Sequence, residues 1–119
     1  MLVLIAGPYR SGTKDDPDKM AANLQRLEQA AWPLFKAGHL PIIGEWIAAP
    51  VWRAAGGQRP GDELYDAIFY PAAGRLLTIC DAVLRLPGES KGADTDVQLA
   101  LARGIPVYRH VDEVPGCSR

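Results

Sequence analysis

Residues 7–14 read GPYRSGTK directly after an apolar run, one transposition from the pattern of a nucleotide-binding P-loop. A P-loop works because its lysine is held at a helix N-terminus, where backbone N–H groups already attract phosphate. Here Thr13 and Lys14 stand in reversed order, and Asp15, Asp16 and Asp18 follow, so three carboxylates would face an incoming triphosphate. The first helix-start signal comes only at Asp16-Pro17. Asp81 precedes its strand, where a Walker-B acid would follow it. The stretch therefore reads as a ligand loop of another kind, in which Gly7, Pro8, Tyr9, Arg10 and Ser11 turn toward a ligand while Thr13 and Lys14 belong to solvent. The plainer alternative is a turn with solvated polar residues.

Other residues could do chemistry beside that loop. Glu45 follows a second apolar run and offers a carboxylate to the same crevice, or else bonds its own loop backbone. Gly88, Ser90, Lys91, Gly92 and Ala93 lead into a helix, and backbone N–H groups there form an anion site. Arg10 could close on that anion with a bidentate contact. Ser90 reads equally well as a plain helix cap. Trp46 and Trp52 fall in a segment without periodicity, where an indole can stack a base, form a lid or meet another subunit. Trp46 is taken as a ligand contact and Trp52 as a subunit contact, whereas Trp32 reads as core. His39, His110, Cys80 and Cys117 show no metal-type spacing, so neither a metal nor an organic cofactor is expected.

These groups need elements to hold them. Leu2 to Ala6 is a continuous apolar run, as a strand buried on both faces reads. Met20, Leu24, Leu27, Ala31 and Leu34 predict one helix from Pro17 to about Ala37, stopped by Gly38. Leu40–Ile43 is a second strand. Residues 45–63 carry Pro50, Gly56-Gly57 and Pro60-Gly61 and read as an excursion with room for one short helix. Asp62 then caps a helix with Leu64, Ile68, Ala72, Leu76 and Ile79 on one face, which Pro71 should kink or split. A third strand spans 82–86, a helix with Val97, Ala100 and Leu101 inward runs to Arg103, and a fourth strand spans 105–108. Alternating strands and helices imply a doubly wound parallel sheet of four to five strands in three αβα layers. Ligands in that architecture bind beyond the strands' carboxyl ends, at the switch in strand order.

Composition narrows the function classes. The chain has 119 residues, enough for one domain and one core. Its net charge of −1 supplies no field toward nucleic acid or anionic lipid. No apolar run approaches the ~18 residues of a membrane span, and the N-terminus lacks the basic region of a signal peptide. The expectation is a cytoplasmic protein with a small-molecule ligand. A chain this small with a loose excursion is expected to complete its pocket as a homo-oligomer.

Three segments in order, LIAGPYR, CDAVLRLPG and SKGADTDVQLALARGIPVY, resemble the nucleoside 2-deoxyribosyltransferase-like superfamily, and its small branch of unknown function above all. The resemblance implies a flavodoxin-like fold that binds a nucleoside or nucleotide and cleaves or transfers at its N-glycosidic bond through a carboxylate. The family motif reads Gly, three residues, Glu, three residues, Ala, which falls here on Gly92, Asp96 and Ala100. Asp96 thus takes the nucleophile's position with one methylene fewer, which withdraws the carboxylate by about 1 Å. The family's strand tyrosine falls on Leu4, and the acid before the third strand falls on Ala73. A non-catalytic nucleotide or nucleotide-sugar sensor on the same fold, and an interaction module using the Trp46–Trp52 segment, are the alternatives.

Overall fold

In the computed structural model, which describes residues 1–117, β1 (Leu2–Ala6) has no polar residue because both its faces are covered. Val3 and Ile5 point one way, with Ala82 and Leu84 of β3 (Ala82–Arg85), against Leu27 and Leu34. Those two leucines belong to α1 (Pro17–Glu28) and α2 (Ala31–Lys36), and Val114 of the tail joins them. Leu4, Ala6 and Val83 point the other way, against Leu76 and Leu77 of α4 (Glu63–Leu77) and Ala93 and Ala100 of α5 (Lys91–Arg103). Each fully buried leucine or isoleucine of this double core contributes about 1.5–3 kcal/mol.

With β2 (Leu40–Ile43) and β4 (Val107–Tyr108), the sheet has four parallel strands in the order β2-β1-β3-β4. The chain leaves β1 for β2 on one side, then crosses to β3 on the other. That is the flavodoxin-like order, with its switch point between β1 and β3. The expected three-layer α/β architecture is therefore present, with four strands. No helix among the described residues is long and apolar enough to cross a membrane.

Several local expectations are corrected. The long first helix is two, interrupted at Gln29-Ala30, because the Pro33 ring would collide with the Gln29 carbonyl four residues back. Trp32, expected in the core, is 63% exposed on α2. The supposed excursion begins with a regular helix, α3 (Gly44–Ala54), which carries Pro50 within it. Pro71 does not split α4, which runs unbroken through it. The buried stripe of α4 is Tyr65, Leu76 and Leu77, while Leu64 and the following Ile79 face outward. Leu101 also faces solvent, at 60% exposure. The third strand stops at Arg85 and the fourth is only two residues long.

Thr13 is the sharpest reversal. It is buried, its hydroxyl donates to the Arg10 carbonyl at 2.5 Å, and it accepts the Asp15 N–H at 3.2 Å. Lys14 and Asp15 then take left-handed φ values of 51° and 60°, so the chain turns aside before α1 begins. Thr13 is the pin of the first loop, and only Lys14 is left to solvent.

Candidate active site

The loops at the carboxyl ends of β1 and β2 meet α4 and the start of α5 around a cavity of about 350 Å³. That is the size class of a small-molecule pocket. Gly7 begins the first loop close against the core: a Cβ there would lie 2.7 Å from Leu27 Cδ2, so the leucine would have to move. The loop is then tied down from α1, whose buried Asn23 donates through Nδ2 to the Tyr9 carbonyl at 2.8 Å. Tyr9, Arg10 and Ser11 consequently line the cavity. Arg10 is fixed on two sides, by an Nε–Asp15 ion pair at 2.7 Å and by the Tyr65 ring 5.2 Å beneath its guanidinium.

Glu45 enters because β2 passes straight into α3, whose first residues are Gly44 and Glu45. Asp96 enters from the second turn of α5. Burial raises the Glu45 carboxyl to about 7, and the Asp96 charge adds to that while its own backbone N–H opposes it. Burial likewise raises Asp96 to about 7, against the pull of Arg85. Two carboxyl groups from separate elements thus face one cavity, each poised near neutrality.

The opposite wall is aromatic. Tyr65 and Phe69 of α4 stack with ring centroids 3.8 Å apart and planes 12° from parallel, and Tyr70 lies beside them. Burial first, then Tyr9 and Glu45, holds the Tyr65 phenol well above its ordinary range, so it stays a neutral O–H donor. At the far end, the buried Ser90 accepts the Ala93 N–H on Oγ at 3.1 Å and caps α5. The cap takes up the Ala93 amide, so the N–H groups of Lys91 and Gly92 are the first-turn donors without a partner in the helix.

Of the residues singled out from sequence, Gly7, Tyr9, Arg10, Ser11, Glu45, Ser90, Gly92, Ala93 and Asp96 all line this one cavity. Leu4 and Ala73, the two positions the family resemblance marks as altered, line it as well. Pro8, Gly88 and Trp46 do not. Pro8 packs behind the loop against Gly88, where a Cβ would lie 2.6 Å from Pro8 Cγ. Trp46 turns outward and donates its indole N–H to Glu28 at 2.8 Å, so it stacks on nothing in the cavity. Trp52 uses its N–H within its own chain, on Asp62 at 3.0 Å, and meets Tyr65 edge-on. Periodicity alone misses the aromatic wall because it favours the 64/68/72 stripe of α4. Tyr65, Phe69, Ala73 and Leu76 have the same helical spacing, and their aromatic and small side chains were the available signal.

Comparison with protein-family models, with curated proteins and with solved structures finds no match.

Proposed function

We propose that the cavity binds a nucleoside or nucleotide and that the protein cleaves its N-glycosidic bond through the Asp96–Glu45 pair. One observation carries this reading. The three positions at which the sequence departs from the deoxyribosyltransferase-like pattern, Leu4, Ala73 and Asp96, all face the same cavity, opposite stacked aromatics and beside Glu45. A base fits against the Tyr65–Phe69 wall, and a phosphate on the sugar fits between Arg10 and the Lys91–Gly92 amides.

In this mechanism the Asp96 carboxylate attacks C1′ as the bond from C1′ to the base nitrogen breaks. Glu45, as the carboxylic acid, gives its proton to the departing base. Water then attacks C1′ of the glycosyl ester, Glu45 takes the proton from that water, and Asp96 leaves as carboxylate. A second base in place of the water gives deoxyribosyl transfer.

The test is release of free base from a panel of nucleosides and 5′-monophosphates, with binding measured in parallel. Asp96→Asn is expected to lower kcat by about 10³-fold with the dissociation constant changed less than about threefold. Binding by the wild type without any turnover would replace the enzyme reading by the sensor. Binding of no member of the panel would overturn both.

A further inference from the structure

A second concavity lies behind the first loop, an open groove of about 800 Å³. One face of α1 forms its first side, where Lys19, Asn23 and Arg26 follow at helical spacing. Pro8 and Ser11 of the first loop form the second side, and Glu89, in the turn from β3 into α5, forms the third. Ser11 lines this groove and the candidate site alike, so the two spaces adjoin across the loop. The volume is again that of a small-molecule site.

The groove is built for an anion. Lys19 and Arg26 stand in it against the one carboxylate of Glu89, while Asp15, Asp16 and Asp18 do not line it. Among the described residues, neither cation has a carboxylate within ion-pair distance. Arg26 is also held in place. Its Nη2 donates to Asn23 Oδ1, and Asn23, only 6% exposed, donates through Nδ2 to the Tyr9 carbonyl at 2.8 Å. The arginine is thus tied through one buried amide to the loop that lines the candidate site. Its fork carries more N–H donors than that one contact spends, and the others suit a phosphate oxygen. The position of the groove bears on the size of the ligand. The phosphate site between Arg10 and the Lys91–Gly92 amides has Ser11 next in the chain on one side and Glu89 two residues before Lys91 on the other. A group joined to that phosphate leaves the cavity over Ser11, toward Lys19 and Arg26.

We propose that this groove is a second subsite, in which Lys19 and Arg26 hold the far phosphate of a nucleoside 5′-diphosphate or of a derivative extended from it. The proposal rests on the nucleotide reading of the cavity and goes beyond it by fixing the class of ligand. A phosphate fills only part of the groove, so a substituent on it has room as well.

The experiment is a calorimetric titration of the full chain with the 5′-monophosphate and 5′-diphosphate of each common nucleoside, without divalent cations. The base that binds best is expected to bind about tenfold tighter as the diphosphate. Lys19→Gln with Arg26→Gln removes both charges at exposed positions, so the fold should persist. This double variant should erase the advantage of the diphosphate and leave monophosphate affinity within about twofold. Arg10→Ala should instead weaken both ligands. A diphosphate bound no tighter than the monophosphate overturns the proposal and leaves the cavity reading standing. An advantage that survives in the double variant does the same. If no nucleotide binds, the cavity reading falls, and inorganic pyrophosphate then decides for the groove. Shifts in the ¹⁵N signals of Lys19, Asn23 and Arg26 that vanish in the double variant support a diphosphate site there, and unmoved signals end it.

Discussion

Asp62 and the Asp96–Glu45 pair are the same functional group in opposite surroundings. Asp62 is saturated: Oδ1 accepts from Trp52 Nε1 and the Tyr65 N–H, and Oδ2 from the Gln58 and Arg59 N–H groups, at 2.9–3.3 Å. The Trp52 bond foremost, with those amides, holds its carboxyl down at about 2. Glu45 and Asp96 are half-buried with far fewer donors, and loss of water lifts both to about 7. Burial raises the pair, and donor supply lowers Asp62. A carboxylate fed four N–H groups caps a helix and closes a loop, while a starved pair is left with protons to exchange near neutrality. The two regions also touch, since Asp62 fixes the Tyr65 amide and the Trp52 edge that backs the Tyr65 ring.

Removing the saturated carboxylate should have the larger effect on the fold. Asp62→Ala strips α4 of its cap and leaves the Gln58, Arg59 and Trp52 donors unpaired together. A fall in Tm on the order of 5–10 °C is expected by thermal denaturation. Tyr65, part of the pocket wall, should lose amide protection before the sheet does. A variant that melts like the wild type would show that the hub is incidental.

Removing a starved carboxylate should do the reverse. Glu45 and Asp96 have folded-state values near 7, above the ordinary carboxyl range near 4. Between those values the folded state binds more protons than the unfolded chain, so stability falls as pH rises through this window. Glu45→Gln removes that burden and should gain about 1–2 kcal/mol at pH 8, less at pH 5 and nothing below about pH 4, read from urea denaturation at each pH. Asp62 has the opposite sign, its contribution being present above about pH 4 and lost as pH falls toward 2. Loss of stability in Glu45→Gln at pH 8 would mean that its charge is paired.

The contrast also explains what the sequence could convey. Strand ends and helix caps are local: Asp16-Pro17, Asp62 and Ser90 each announced a helix start, and each side chain accepts the expected first-turn N–H. The sheet followed from those marks, and so did the convergence of Glu45, Arg10 and Gly92 on one cavity. Which face of a helix turns inward is a tertiary choice, made for α4 by the packing of Tyr65 under Arg10 and against Trp52. Two equally spaced stripes were available, and periodicity does not choose between them. Pro50 and Pro71 misled for a related reason: packing holds α3 and α4 together across the missing hydrogen bonds. Arg85 stands in CDAVLRLPG, but the Leu86 and Gly88 carbonyls to which it donates belong to the loop beyond it, which no spacing rule supplies.

The smallest expected effect tests whether donor supply alone sets the Asp62 extreme. Trp52→Phe keeps an aromatic edge toward Tyr65 and deletes only the indole N–H. Three backbone donors remain, so the fold should persist with Tm lowered by a few degrees at most, about what one surface hydrogen bond is worth. The Asp62 midpoint should nevertheless climb from about 2 by less than one pH unit, because the Trp52 bond is the largest single influence on it. Midpoints of Glu45 and Asp96 should stay where they are, since neither accepts from Trp52 and their values come first from burial. A shift in those two without one in Asp62 would reverse the comparison, making Trp52 a wall of the pocket before it is a donor to the hub.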